Sequence, residues 1–281
     1  MITAPFDYES PESLEEAIRM LHENGEDAKL LAGGHSLVPL MKLRLAAPSV
    51  LIDLRKIPGL HGIQSENGNW RIGPMTRHAD LQDAEELGVI ARAAGQIADQ
   101  QVRNRGTIGG SLAHGDPASD LPAVLLATEG EVSARGPGGE RTIAAADLFE
   151  DYLTTALAQD EAITSVRIPM LEGYGHGYRK FTRRAEDWAM VGVCVLVKKG
   201  ADGNCEDVRV GLTHMSSTPV RASATEAALR GGPLDADAIG VAAEQAAEGT
   251  DPPGDLNATP EYKRHLARVL TRRALEEAAG L

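Results

Sequence analysis

The stretch Leu30 to Leu40, LLAGGHSLVPL, limits what this chain can become more than any other. An apolar run able to bury a strand stops at Gly33-Gly34-His35-Ser36 and resumes at Leu37. A turn needs one glycine at most, so a glycine pair followed by two hydrogen-bonding side chains implies backbone brought close to another group. Two readings fit. One is a tight strand-to-helix turn; the other is an anion cradle. In the cradle, glycine lets backbone N–H groups approach a phosphate, Ser36 donates its hydroxyl, and the helix beginning near Leu37 adds partial positive charge. Gly-Gly recurs at Gly138-Gly139 and Gly231-Gly232, so the pair alone does not choose.

A second loop repeats the chemistry. Thr107-Ile108-Gly109-Gly110-Ser111 places hydroxyls beside paired glycines ahead of another helix. Two such loops suit the two ends of one diphosphate. Asp120, near the start of the helix that follows, can accept hydrogen bonds from a ligand or cap the helix. Gly34-His35-Ser36-Leu37-Val38 has valine where a nucleophile elbow requires glycine, so a hydrolase triad is rejected. His114, Asp116 and Asp120 read as turn and cap formers rather than metal ligands. Neither G-x-G-x-x-G nor a Walker A sequence occurs, so a bound diphosphate needs another scaffold.

Around these loops the chain reads as α+β. Ser13-Leu14-Glu15-Glu16 forms a capping box for a helix that Gly25 ends. Strands are expected at Ala28 to Ala32, Val50 to Asp53, Asn69 to Gly73, Glu131 to Ala134 and Ile163 to Ile168. Helices are expected at 37–45, 78–87 and 88–99, with an apolar one ending near Ala127. Beyond Gly173 the pattern becomes a three-stranded meander, at 177–183, 188–198 and 208–214. Alanine-rich helices follow at 223–229, 235–247 and 261–278. A chain of 281 residues exceeds one ordinary core, and the boundary is placed between 172 and 173.

Charge and cysteine content narrow the function. A net charge of −13 opposes nucleic-acid binding. Cys194 and Cys205 read as a buried small hydrophobe and a surface hairpin thiol. Two thiols cannot ligate an iron–sulfur cluster of the usual four-cysteine kind, so any such cluster belongs to a partner. No run is long and apolar enough for a membrane span, and the start lacks the pattern of a signal peptide, so a cytoplasmic protein is expected.

AGGHSLVP at Ala32 to Pro39 and TIGGSLAHGDPASDLP at Thr107 to Pro122 closely resemble the two FAD-binding motifs of the flavin-carrying medium subunit of molybdenum hydroxylases. The resemblance is nearest to the aerobic-type carbon monoxide dehydrogenases, with the xanthine dehydrogenase flavin domain more distant. It extends through F-x-Y-x-x-P-x-S-L-x-E-A at Phe6 to Ala17, through Arg103 to Gly110, through Asp187-Trp188-Ala189 and through a closing helix with Tyr262 and Arg272-Arg273-Ala274-Leu275. It implies a vanillyl-alcohol-oxidase-type FAD-binding region of two α/β subdomains, about 1–55 and 56–172. A small domain at 173–281, with a three-stranded antiparallel sheet and a helical bundle, would follow.

By motif match, Ala32, Gly33, Gly34, His35, Ser36 and Leu37, with Thr107, Gly109, Gly110 and Ser111, would hold the FAD diphosphate through backbone amides and hydroxyls. Asp120 would meet the ribityl or ring region, and Lys29 would approach the cofactor. Lys180 and Trp188 resemble positions beside the isoalloxazine, although Lys180 also reads as a solvated strand residue and Trp188 as a packing aromatic opening a strand. Gly115 departs from the usual family pattern. No catalytic residue is assigned. The resemblance further implies an electron-transfer subunit, with molybdenum–pterin on a large partner, [2Fe–2S] clusters on a small one, and a dimer of heterotrimers. A stand-alone flavin oxidoreductase and a scaffold without flavin are the rival readings.

Overall fold

The computed structural model describes residues 2–281, which form three sheets of three to five strands and a fourth of only two, with helices packed between and outside them. In the first subdomain β1 (Asp7–Glu9), α1 (Leu14–Asn24), β2 (Ala28–Leu31), α2 (Leu37–Leu43) and β3 (Val50–Asp53) build a parallel sheet ordered β1-β3-β2. The Ser13 hydroxyl accepts from the Glu16 amide at 3.2 Å, while the Glu16 carboxylate reaches the Glu12 amide. Gly25, at φ +52°, ends α1 by donating to the Leu21 carbonyl. The helix buries Ala17, Ile18 and Leu21, and Ala17 and Leu21 pack with Ala28 and Ile52 of the sheet.

The second subdomain contains β4 (Ile63–Glu66), β5 (Asn69–Ile72), α3 (His78–Asp83), α4 (Val89–Ala94), α5 (Gln100–Arg103), α6 (Ile108–His114) and α7 (Asp120–Ala127). It continues through β6 (Glu131–Gly136), β7 (Gly139–Ala144), α8 (Ala145–Leu148), β8 (Phe149–Asp151), β9 (Thr154–Thr155) and β10 (Ala162–Pro169). Its five-stranded sheet, β4-β5-β10-β6-β7, is wholly antiparallel, so the expected α/β character holds only for the first subdomain. The reason is local: β4–β5 and β6–β7 are hairpins, and hairpins force antiparallel pairing. The expected helix at 78–87 stops at Asp83 and resumes as a 3₁₀ turn at Glu85–Leu87; the one at 88–99 ends at Ala94.

The last region holds β11 (Tyr174–Phe181), β12 (Val191–Lys199), β13 (Cys205–Thr213), β14 (Val220–Arg221), α9 (Ser223–Leu229), α10 (Ala236–Ala243) and α11 (Pro260–Ala279). The antiparallel sheet has four strands, not three, because the short β14 pairs with β13. Rather than a separate bundle, the helices form a layer on this sheet, with α11 against β11 and β12 and α10 against α11. Gly175 and Gly177 permit that packing: a Cβ on either would strike the Ala278 or Ala274 carbonyl of α11. The opposite face of β11 and β12 turns toward the middle subdomain, and Tyr178, Cys194 and Leu196 complete its core. Cys205 is buried as well, contrary to the surface thiol expected, because it lies in β13 over the second core.

Candidate functional site

A cleft of about 690 Å³ lies where the three parts meet, a volume typical of cofactor pockets. Both glycine loops line it, together with Lys29, Asp120, Lys180 and Trp188. The structure therefore gathers every sequence-assigned site residue along one cavity, from Leu37 of α2 to Trp188 before β12.

The first loop leaves β2 and enters α2. Gly34 adopts φ +79°, a left-handed conformation that favours glycine. Gly33 has a different reason: a Cβ there would fall on the Arg105 carbonyl and the Gly106 Cα, so the two loops share one wall. Ser36 makes no side-chain capping bond to α2. Among the described residues, the backbone N–H groups of Gly34, His35 and Ser36 have no partner within the chain. Unpaired donors beside a cleft are what an anion requires.

The second loop is built otherwise. Thr107 caps α6, its hydroxyl accepting from the Gly110 amide at 3.2 Å. The amides of Ile108, Gly109 and Ser111 donate to Thr76, Pro74 and Thr107 carbonyls at 3.1, 2.8 and 3.0 Å. The amides of Gly109, Gly110 and Ser111, three of the expected diphosphate donors, thus already hold the loop's own shape. The loop offers the Thr107 and Ser111 hydroxyls instead. Gly109 is glycine because a Cβ would collide with Pro74, and Gly115 because it ends α6 at φ +64°.

At the other end Asp120 opens α7, with Ser119 as the N-cap, and is fully buried. The Tyr178 hydroxyl donates to its Oδ1, and Lys180 Nζ lies 2.9 Å from its Oδ2. Lys180 also donates to the Gln96 carbonyl at 3.1 Å; its side chain is 5% exposed, so it is no solvated strand residue. Tyr178 and Lys180 are two apart on β11 and so share a face. Burial raises the proton affinity of Asp120 above that of an ordinary carboxyl, against the opposing pull of Lys180 and the Tyr178 hydroxyl.

Trp188 is 55% exposed at the cleft and precedes β12 rather than opening it. Lys29 is exposed and within 3.4 Å of Gln159. Sequence reasoning missed Tyr178, which looked like one more strand aromatic, and His78. That histidine lines the cleft, its buried Nδ1 has no partner among the described residues, and burial with nearby His35 and Arg103 lowers its pKa to about 4. No local signal separates either from a core residue.

Comparison with known proteins gives two family matches that together span nearly the whole chain. Residues 4–171 match the FAD binding domain in molybdopterin dehydrogenase, and residues 176–278 match the CO dehydrogenase flavoprotein C-terminal domain. The carbon monoxide dehydrogenase medium chain of Hydrogenophaga pseudoflava is 40% identical, over 99% of this chain and 98% of the relative. The nicotine 6-hydroxylase medium subunit of Paenarthrobacter nicotinovorans is 41% identical, over 97% of each. The solved structure of H. pseudoflava carbon monoxide dehydrogenase lacking the Mo-pyranopterin moiety superposes with a TM-score of 0.96 at 42% identity, covering 100% of this chain and 99% of its own.

Proposed function

The chain belongs to the family of FAD-binding medium subunits of carbon monoxide dehydrogenase and related molybdenum hydroxylases, and from that premise we propose how its cleft works. The protein is an oxidoreductase subunit whose cofactor is FAD; molybdenum–pterin and iron–sulfur centres belong to partner subunits in complexes of this type. No helix among the described residues is long and apolar enough to cross a membrane.

The residues fit FAD. In our reading the free N–H groups of Gly34, His35 and Ser36, with the Ser36, Thr107 and Ser111 hydroxyls, hold the diphosphate. Ala32, Gly33, Gly109 and Gly110 keep the two loops close enough to act as one cradle, and Leu37 starts the helix behind it. Lys29 lies at the rim. Lys180, held by Asp120, presents an ammonium to the ring end, and Trp188 covers a ring face there. Bound in this cleft, FAD would supply a carrier that can hold two electrons and release them to an acceptor.

The observation that carries this reading is the row of unpartnered backbone donors facing a cleft whose far end holds a buried cation. We propose further that electrons arrive from the [2Fe–2S] clusters of a small subunit, itself served by a large molybdenum subunit in a dimer of heterotrimers, and leave to an external acceptor. Carbon monoxide is the substrate we favour. Relatives of nearly equal identity are named for carbon monoxide and for nicotine, so substrate choice resides on the large subunit.

The test is purification of the tagged chain from its own cells, with a visible spectrum and metal analysis. Flavin, iron and molybdenum in a three-subunit complex are expected. Flavin without metals or partners would instead support a stand-alone reductase, and absence of flavin would refute the site.

A further inference from the structure

The pair Asp120 and Lys180 carries one negative and one positive charge at the edge of the cleft, with both side chains almost wholly buried. Such a pair can exist as carboxylate and ammonium, or as carboxylic acid and amine, with the same protons distributed differently. Burial favours the neutral arrangement, and hydrogen bonds to the carboxylate favour the charged one. Both Asp120 oxygens are taken, one by Lys180 and the other by the Tyr178 hydroxyl. Among the described residues, Tyr178 is therefore the one donor from outside the ion pair that meets the carboxylate through a side chain.

Its position is fixed from three sides. The ring is fully buried. Opposite Lys180 in the sheet stands Gly192, where a Cβ would lie 3.2 Å from the Tyr178 hydroxyl and press on Thr213 as well, so glycine here leaves room for the phenol tip. On the reverse face of β11, Gly177 sits against the Ala274 carbonyl, which clamps the strand to α11. An ammonium has three N–H donors. Asp120 and the Gln96 carbonyl use two of those on Lys180, and the third remains for the cleft. Asp120, by contrast, turns both oxygens to donors.

We propose that Tyr178 is a positioning residue for the cofactor: its hydroxyl holds Asp120 as a carboxylate and Lys180 as an ammonium, and so sets how strongly the cleft favours reduced over oxidised FAD. The proposal rests on the reading of the cleft as the FAD site. Tyr178 does not touch the ring; it acts through the charge of Lys180. Loss of a hydrogen bond to a buried charged group shifts such an equilibrium by about tenfold or more. An ammonium weakened in that way stabilises the extra electrons less, so the reduction potential falls.

The experiment uses the intact complex. In Tyr178→Phe, where the ring stays and only the hydroxyl goes, the flavin-to-protein ratio should remain near that of the wild type. The FAD midpoint potential should fall, by up to about 30 mV for each tenfold shift in that equilibrium, the two-electron equivalent. In a Lys180→Arg background, whose guanidinium does not surrender its proton, Tyr178→Phe should leave the potential where it is. As a second variant that keeps the hydroxyl and adds little bulk, 3,5-difluorotyrosine at position 178 is a stronger donor and should move the potential upward. Full flavin with an unmoved potential in both variants overturns the role of Tyr178 alone, as does an equal shift in the Lys180→Arg background. A wild-type complex without FAD overturns the cleft assignment and this proposal together.

Discussion

Gly33 provides the sharpest test of how the cleft is built. A Cβ on Gly33 would fall on the Arg105 carbonyl oxygen and sit 2.7 Å from the Gly106 Cα, where ordinary contact begins at 3.4 Å, so Gly33→Ala must part the loops by at least about 0.7 Å. The obstacle is backbone, which cannot swing aside as a flexible side chain would. Overpacking of this kind costs roughly 2 kcal/mol, equivalent to about 4–8 °C in melting temperature for a region of this size. The same displacement carries the Ser36 hydroxyl away from Ser111, and hydrogen bonds of about 3 Å do not survive such a change unaltered. Gly33→Ala should therefore purify with severalfold less FAD per chain, measured by flavin absorbance after denaturation. Gly34→Ala is the comparison. Its nearest neighbours are side-chain atoms of Leu31 and Val38 at 3.4 Å, so only the φ of +79° opposes it, at about 1–2 kcal/mol. Normal flavin content and melting temperature in Gly33→Ala would refute the argument that the loops form one wall.

Three further outcomes are expected. Lys263 is wholly buried 2.7 Å from the Asp255 carboxylate, which is 31% exposed, so Asp255→Ala should cost about 3 kcal/mol in urea unfolding and Lys263→Met under about 1 kcal/mol. The reverse order would show that the cation is not stranded by loss of its partner. His78 takes a proton only near pH 4 in the folded chain and near 6.5 when unfolded. The unfolded state thus binds more protons between those values, and stability falls as pH drops through that window, by on the order of 3 kcal/mol. Burial pushes His114, His176 and His214 the same way; His78→Gln should flatten the profile, and an unchanged slope would exclude His78 as its main source. Trp188→Ala should alter the flavin absorption band and reoxidation rate while changing stability by under about 1 kcal/mol, since Trp188 is half exposed; an unaltered spectrum and rate would remove it from the ring face.

Much of this was legible in the letters because the signals were local. Ser13 and Gly25 marked the ends of α1, and glycine beside hydroxyl marked both loops. What the letters could not show was why each glycine is there: Gly33 and Gly109 answer to Arg105 and Pro74, 72 and 35 positions away in the chain by their numbering. Short polar strands also escaped. β1 (DYE) and β4 (IQSE) lack apolar alternation, β7 hides behind its own turn residues, and β14 spans two residues. Lys180 looked solvated because its counterion, Asp120, lies 60 residues earlier. Pairings at that range are set by packing of whole elements, which no window of sequence displays.

The same separation has a meaning for biosynthesis. Asp120 precedes Tyr178 and Lys180 by 58 and 60 residues, which a ribosome adds in roughly 3–12 s. Throughout that interval the nascent chain has both glycine loops but a bare carboxylate where the cleft will close, and a core still open at the places of Tyr178, Cys194 and Leu196. The cofactor pocket is thus finished only when β11 and the segment up to Trp188 have been made. A chain stopped short of Trp188 lacks part of the pocket lining, however well its two glycine loops are formed.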